Sequence, residues 1–480
     1  MLRDKNTTII SEIRNFFTSE EKAFNAIVTL LDCLTPILSN IFKPMDKINT
    51  QHHGVEKMLM LLLFPFFKVN HTINYQKHIS PKLFDGGKDL FYRLLKNENI
   101  LWRRLLYKTA ICLIGKVQRS STRVQTERCL IVDDTDLKKT GRCIELIGKI
   151  FSHVTYSSFL GFKGLFLGYH DGSSFFGLDY SLHGEKGSNK KRPYGLSKKD
   201  LKNRYSKKRE KDSCGYCRKE EYFKSKIQQL ISMIRNAIKE GVRFDYLLVD
   251  SWFTCFEIIK FIKTRRIACH FLGMIKMGKT KYKYKGKEVT SKQLAKSLNR
   301  NKKVKYCKKL KCWHSEAIVD FKGYEVKLFF CRSSKRRNWC GLLTTNTALN
   351  FEEAYRIYSK RWTIEVFFKE CKQCLGLGKC QSKDFDAQIA SITICLMQYN
   401  MLSVVKRFEG YETLGELFRE SQADTLELTV FERIWQIIIE LLGEIAEVLD
   451  IELEVLMEKI FSENEGLVKL QKLKRLALAG

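Results

Sequence analysis

Two short apolar runs that each end in an acid constrain the fold of this chain most. IVDDTD at 131–136 and YLLVDSW at 246–252 have the composition of buried β-strands, and an aspartate follows the apolar part of each run. Between them, GFKGLFLGYHDG and SSFFGLDYSL predict a β-hairpin with a turn at DGSS. EYFKSKIQQLISMIRNAIKEG then predicts an amphipathic helix that ends at Gly241. This order of elements predicts a mixed α/β sheet flanked by helices.

The rest of the chain divides into segments of different character. Residues 1–120 repeat apolar positions at helical spacing and carry bases on the other face, so we expect a helical domain that is a candidate for DNA binding. Residues 186–224 hold 15 basic and 5 acidic side chains and predict a basic, mobile loop. We further expect a core made of 125–264 and 351–408, a β-rich insertion at 265–350, and an acidic helical region at 409–480 that is a candidate for oligomerisation.

The charge of the chain is large and uneven. Its net charge is +32, yet residues 409–465 carry 16 acids and 3 bases, a local charge of −13, which leaves +45 on the remainder. Such an excess attracts a polyanion, so nucleic acid is the first partner class that it predicts and an anionic membrane surface the second. The apolar run at 58–67 is half the length of a membrane span. With 16 cysteines and no signal-peptide pattern at its first residues, the sequence predicts a reduced, cytoplasmic protein.

The aspartates at the two strand ends are candidate metal ligands. If the strands are parallel neighbours, their carboxyl ends meet at one edge of the sheet, where ligand sites of open α/β sheets lie. Two carboxylates there form part of a site for Mg²⁺, which prefers oxygen ligands and shares substrate phosphates. Asp133 continues the face of Ile131, and Asp134 points the other way. A turn-capping role is the alternative for each aspartate.

YSKRWTIEVFFKECK, at 358–372, predicts part of a helix that runs from about 351 to 375. At about 100° per residue, Tyr358, Arg361, Glu365 and Lys372 lie within roughly 60° of one another. The opposite side is apolar and suits a core. Arg361 and Glu365 are also an ordinary i,i+4 pair, so a charged surface stripe is the alternative.

These four residues match the Y-(2)-R-(3)-E-(6)-K signature, and the chain resembles bacterial DDE transposases of the insertion-sequence-4 type. The resemblance covers about residues 128–400 and includes the two strand-end motifs in the expected order. It is weak over the N-terminal helices and absent over the acidic tail. It implies a ribonuclease-H-like core with the third acid on a helix and a β-rich insertion before it. The 115 residues from Asp250 to Glu365 leave room for that insertion.

The resemblance also implies roles for single residues. Asp133, Asp250 and Glu365 would be the catalytic acids that bind Mg²⁺, for which Mn²⁺ can substitute. The family's D-x-(Ser/Thr) context fits Asp133, and Asp134 stays the alternative if the strand register differs. The remaining candidates contact DNA: Arg361 and Lys372 at the phosphodiester, Tyr358 at a nearby phosphate, and Trp313 or Trp339 against a flipped base, with a core position as the alternative for either tryptophan.

The leading hypothesis is a DNA transposase that cuts the ends of its own element and joins the 3′-OH to target DNA. It would act on double-stranded DNA in the bacterial cytoplasm, bound to the nucleoid, with no membrane partner. Pairing of two ends implies a homodimer. One alternative is a metal-dependent DNA nuclease without strand transfer, and another is a DNA-binding protein that does not cut.

Overall fold

The computed structural model of the chain describes most, but not all, of its residues. The described residues form two compact units, and each is treated by itself. The acidic region at 409–480 lies almost entirely outside the description. The described residues are 23–45, 52–69, 84, 86–119, 126–152, 155–334, 336–408, 413–422 and 445.

The first unit contains residues 1–105, 373–376 and 389–480, and its described part is helical. The described part of the N-terminal region thus consists largely of helices. Gln398 lies in the apolar interior of this unit and donates hydrogen bonds to the carbonyls of Leu61 and Leu62. The helices that contribute to this unit are α1 (Ala23–Phe42), α2 (Gly54–Leu63), α3 (Lys88–Leu95), the start of α4 (Trp102–Arg119) and most of α12 (Phe385–Phe408).

Two helices pass a simple test for a membrane span. Among the described residues, 26–45 and 385–408 are long and apolar enough to cross a membrane. The second segment is 94% buried within the protein. This is weak evidence, because a core helix passes the same test.

The second unit, residues 106–372 and 377–388, contains a twelve-stranded mixed sheet with flanking helices. The predicted mixed α/β class is confirmed. Its strands are β1 (Cys129–Lys138), β2 (Gly148–Ser152), β3 (Ser157–His170), β4 (Phe175–His183), β5 (Tyr246–Val249), β6 (His270–Ile275), β7 (Lys281–Tyr284), β8 (Lys287–Thr290), β9 (Lys305–Cys307), β10 (Cys312–Phe321), β11 (Tyr324–Arg332) and β12 (Cys340–Thr344). The helices that lie within it are α5 (Lys198–Asn203), α6 (Cys214–Glu221), α7 (Lys226–Lys239), α8 (Phe256–Thr264), α9 (Ser291–Arg300) and α10 (Phe351–Ser359), and α11 (Trp362–Cys374) belongs to it up to Lys372.

Five strands form the part of the sheet that positions the acids. Their order is β4–β3–β1–β5–β6, in which β4, β3 and β1 are antiparallel neighbours and β1, β5 and β6 are parallel. β5 and the first four residues of β1 are fully buried, as expected for parallel strands covered on both faces. Beyond β6 the sheet continues through β12, β11, β10, β7 and β8, while β2 pairs with β3 and β9 with β10.

Two local predictions are confirmed. β3 and β4 form the expected hairpin, and the carboxylate of Asp171 accepts the backbone N–H groups of Ser173 and Ser174 in the turn. The predicted amphipathic helix is α7, which begins with a Ser225–Gln228 capping box. Gly241 follows its end with a φ of 86°, the left-handed conformation that favours glycine.

The prediction of a mobile loop at 186–224 is wrong. The segment contains α5 and α6, and the guanidinium of Arg209 between them is buried against Glu145, Asp384 and Asp386. These acids are remote in sequence, so a reading of local charge does not reveal that the bases have buried partners.

The single helix predicted at 351–375 is also wrong. It breaks at Lys360 and Arg361 into α10 and α11, and the tight hydrogen bonds at the break span three residues rather than four, as from the N–H of Ile364 to the carbonyl of Arg361. The hydroxyl of Thr363 donates to the carbonyl of Lys360. The helical angles computed across 358–372 therefore do not describe one continuous helix.

Candidate active site

The two strand-end aspartates lie at the same edge of the sheet. β1 and β5 are parallel neighbours, and Val132 pairs with Val249, so Asp133 and Asp250 are the next residues on adjacent strands. The expected parallel pairing is confirmed, but β1 does not end at the acids: it continues to Lys138 beside β3, so Asp133 lies within β1 where its pairing with β5 stops. Both side chains are half-buried, as a site open on one side requires.

A turn directly after β5 fixes the carboxylate of Asp250. Its Oδ1 accepts hydrogen bonds from the N–H groups of Trp252, at 2.9 Å, and Phe253, at 3.0 Å. The hydroxyl of Thr254 donates to the Asp250 carbonyl at 2.9 Å. Gly273, on β6, gives Thr254 its space, because a Cβ there would lie 2.4 Å from the threonine Oγ1.

Asp133 has an unusual electrostatic environment. Burial, together with the negative charge of Asp250, raises the pKa of Asp133 to about 7, although the guanidinium of Arg361 opposes the shift. The Nη1 of Arg361 donates to Oδ2 of Asp133 at 2.8 Å. The two aspartates are thus close enough to repel each other, and this edge of the sheet attracts cations.

Arg361 connects this edge to the third candidate acid. Its Nη2 donates to Oε1 of Glu365 on α11 at 2.5 Å. Burial disfavours the charged guanidinium, but Tyr358, Glu365 and Asp133 outweigh that effect and raise the pKa of Arg361. The guanidinium of Arg361 therefore donates hydrogen bonds to both Asp133 and Glu365. Within the described ranges, no group of three or more His, Cys, Asp or Glu side chains is arranged to hold a metal ion.

The other two signature residues attach the helices to the strand ends. The hydroxyl of Tyr358, on α10, donates to the carbonyl of Val249 at 3.2 Å, and burial raises the pKa of this tyrosine to about 12. Nζ of Lys372, on α11, donates to Oγ1 of Thr135 at 2.7 Å, and burial lowers the pKa of this lysine. Tyr358 thus contacts the end of β5, Arg361 and Lys372 contact the middle of β1, and Glu365 is joined to them through Arg361.

Asp134 has a different partner from Asp133. It forms an ion pair with Lys226, the first residue of α7. Nζ of Lys226 also lies 4.3 Å from the centre of the Trp252 ring. Sequence reasoning missed both Lys226 and Trp252. The position of Trp252, two residues after Asp250, could have identified it from the sequence. Its side chain is 46% exposed, although the chain around it is largely apolar.

Trp313 and Trp339 are half-buried within the strand-rich region. The ring of Trp313 lies 5.1 Å from that of Tyr306, and the guanidinium of Arg332 lies 4.2 Å from the ring centre of Trp339. Their predicted stacking on a base stays a prediction.

Comparisons with known proteins give a family match over part of the chain. Residues 224–401, which include Asp250 and Glu365 but not Asp133, match the family described as Transposase DDE domain. No curated protein matches the chain. A piggyBac transposase synaptic complex with hairpin DNA is similar at 13% identity over 87% of this chain and 80% of that one, with a TM-score of 0.42. The NurA nuclease from Sulfolobus solfataricus is similar at 10% identity over 56% and 84%, with a TM-score of 0.23. Both TM-scores are below 0.5, so neither likeness supports an argument.

Proposed function

We propose that this chain, a DDE-type transposase by its domain at residues 224–401, cuts the ends of a mobile element and joins the 3′-OH to target DNA. The observation that carries the proposal is Arg361, which holds Asp133 and Glu365 together beside the strand end that bears Asp250. Asp133 and Glu365 thus share one guanidinium, and in this proposal Asp250, at the next position on the adjacent strand, completes the set of three acids used for phosphoryl transfer.

DDE transposases use divalent metal ions, and the donors present here fit one. Asp133, Asp250 and Glu365 offer hard oxygen ligands, which suit Mg²⁺ and also Mn²⁺. Burial and, after it, the nearby charge of Asp250 raise the pKa of Asp133, and a cation between the acids would offset both effects. When bound, a divalent ion polarises the phosphodiester and activates the attacking oxygen. In this proposal the three acids hold the metal, with Asp133 rather than Asp134 as the first, because Asp133 shares Arg361 with Glu365 whereas Asp134 is paired with Lys226.

The remaining residues bind and orient DNA. Arg361 and Lys372 supply positive charge next to the acids, and Tyr358 keeps α10 against the end of β5. We assign the strand set β4–β3–β1–β5 to a ribonuclease-H-like core, with 265–350, whose first strand is β6, as a β-rich insertion. The residue signature favours the insertion-sequence-4 type. End pairing by a homodimer and action on DNA in the bacterial cytoplasm belong to the same proposal.

Strand cleavage tests the proposal. The purified protein is incubated with Mg²⁺ and a labelled duplex of the element's end, beside Glu365→Gln and the control Glu257→Gln, an exposed acid on α8. We expect cleavage that leaves a 3′-OH in the wild type and the control, and none in Glu365→Gln. Joining of the cut end to a plasmid distinguishes a transposase from a nuclease. Binding of the duplex without any cleavage, in Mg²⁺ or Mn²⁺, would contradict the proposal.

A further inference from the structure

A groove of about 1210 Å³ lies on the second unit, away from the carboxylates just described. One wall is the lysine-rich segment around β9, and the other is α10. His314 and Ser315 of β10 line the groove between the walls. We call it the lysine groove; its basic residues are Lys302, Lys303, Lys305, Lys309 and Arg356.

The first wall carries positive charge that the protein does not neutralise. Lys302, Lys303 and Lys305 are exposed and form no side-chain ion pair with any residue that the structure describes. Three acids also line the groove. Glu352 lies 3.9 Å from Lys309, Glu316 lies 3.4 Å from Lys327, and the side chain of Glu353 accepts the N–H of Asn350. The groove therefore suits an anion.

Two polar atoms beside these lysines lack a partner. The hydroxyl of Ser315, in a side chain that is 1% exposed, and Nδ1 of His314 are buried without a hydrogen bond in the described structure. The ring of His314 is fixed, since it stacks on Phe351 with centroids 4.3 Å apart and planes 7° apart. Buried polar atoms almost always have partners. These two unpaired atoms, next to a basic wall, therefore indicate a site where a polar ligand would supply the missing hydrogen bonds.

The groove and the candidate active site share a helix. Arg356 and Ser359 of α10 line the groove, Tyr358 of the same helix binds the end of β5, and Arg361 follows two residues after Ser359. α10 therefore contributes residues to both places, as a surface that holds one extended ligand would require.

We infer that the lysine groove binds the sugar-phosphate backbone of double-stranded DNA that flanks the reacting phosphodiester. The inference rests on the proposed function, because it names a surface on which that enzyme holds its substrate. Phosphate oxygens match both the ammonium groups of the wall and a hydroxyl donor such as Ser315. Contacts of this kind fix the position of the duplex without reading its sequence.

Salt dependence of DNA binding tests the inference. Fluorescence anisotropy is measured on the full chain with a labelled duplex of about 30 base pairs, without divalent metal, at several salt concentrations. We expect the double variant Lys303→Ala, Lys305→Ala to reduce the slope of log K against log salt by about 1.8, since each lost phosphate contact contributes about 0.9. The matched control is Lys281→Ala, Lys283→Ala, which removes two exposed lysines from β7 on the same sheet. A groove variant whose slope equals that of the wild type would overturn the inference.

Lysine footprinting separates DNA from a small anion. We expect duplex DNA to protect Lys303 and Lys305 from acetylation while Lys281 stays reactive. Equal protection by inorganic phosphate alone would identify a free-anion site and overturn the inference. Neither assay needs cleavage, so the two proposals can fail separately. If the groove variant keeps the wild-type salt slope, the proposed transposase activity still stands. If the groove variant has the smaller slope but the wild type cuts no DNA, the groove is supported and the proposed function is contradicted.

Discussion

Arg361 donates a 2.8 Å hydrogen bond to Asp133, which stands 228 residues earlier in the chain. The contact holds the break between α10 and α11 against β1 at Asp133. The same guanidinium also donates to Glu365, so one positive charge is shared by two carboxylates that the proposed function assigns to a metal ion. Arg361 and the metal therefore compete for these carboxylates in the absence of DNA.

Arg361→Gln is expected to bind Mn²⁺ about tenfold more tightly than the wild type. A unit charge about 4 Å away is worth on the order of 1–4 kcal/mol in water or near a protein surface, and about 1.4 kcal/mol is tenfold. Calorimetric titration of the DNA-free protein measures the effect. The control is Arg356→Gln, which loses an ion pair with Glu127 instead. Equal or weaker binding by Arg361→Gln would show that the guanidinium does not oppose the metal.

Gly273→Ala is expected to impair cleavage through Asp250. The added Cβ would displace Thr254, whose hydroxyl holds the Asp250 carbonyl, and misplacement of a reacting group by about 1 Å can cost about a hundredfold in rate. We expect single-turnover cleavage to fall by about tenfold to a hundredfold while DNA affinity is unchanged.

Gly278→Ala is the matched control for that change, because no atom lies within 4 Å of the Cβ that it would add. If both variants cut at the wild-type rate, the turn after β5 tolerates the extra methyl group. If both lose activity equally, the effect does not act through Thr254.

Local pattern was sufficient to predict the elements that carry the two aspartates. The apolar parts of IVDDTD and YLLVDSW lie in buried strand, and the helix between them has its own start and stop signals, so each could be recognised without tertiary information. Their parallel pairing follows from that order. The break at Lys360 and Arg361 could not be predicted in this way. Both side chains bind acids near β1, at Glu127 and Asp133, and these contacts exist only in the folded chain.

The basic segment at 186–224 shows the same limit. Its composition is typical of a solvated loop, yet Arg209 binds three buried acids that come from two distant segments. Lys226 likewise acquires its role from Asp134 and Trp252, which are remote in sequence. Charge composition predicted a polyanion partner but could not show which basic side chains form ion pairs within the protein.

Arg209→Met is expected to destabilise the protein by about 3–5 kcal/mol, because it leaves Glu145, Asp384 and Asp386 buried without their shared partner. Urea denaturation of the full chain measures the loss. Arg209→Lys keeps the charge but lacks the planar fork, so we expect an intermediate loss. If Arg209→Met is as stable as the wild type, Lys207 and Lys219, which also contact these acids, are sufficient.

His183 is expected to make the stability of the fold sensitive to mild acid. The imidazole is 3% exposed, and its Nε2 lies 2.7 Å from the hydroxyl of Ser181. Burial, reinforced by the charge of Lys226, lowers the pKa of His183 to about 4 from an ordinary value of 6.5. Between these two values the unfolded chain binds a proton that the folded chain does not. The stabilising contribution is therefore complete above about pH 6.5 and declines as the pH falls toward about 4.

Denaturation of the wild type and His183→Gln at two pH values measures this contribution. Between about pH 7 and pH 5, we expect the wild type to lose about 2 kcal/mol more than the variant, since 1.36 kcal/mol accompanies each pH unit of differential protonation. Ser181→Ala is the control, because it removes the hydrogen bond but keeps the buried imidazole, and it should retain the pH dependence of the wild type. Parallel losses in wild type and His183→Gln would mean that His183 does not titrate between the folded and unfolded states in this range.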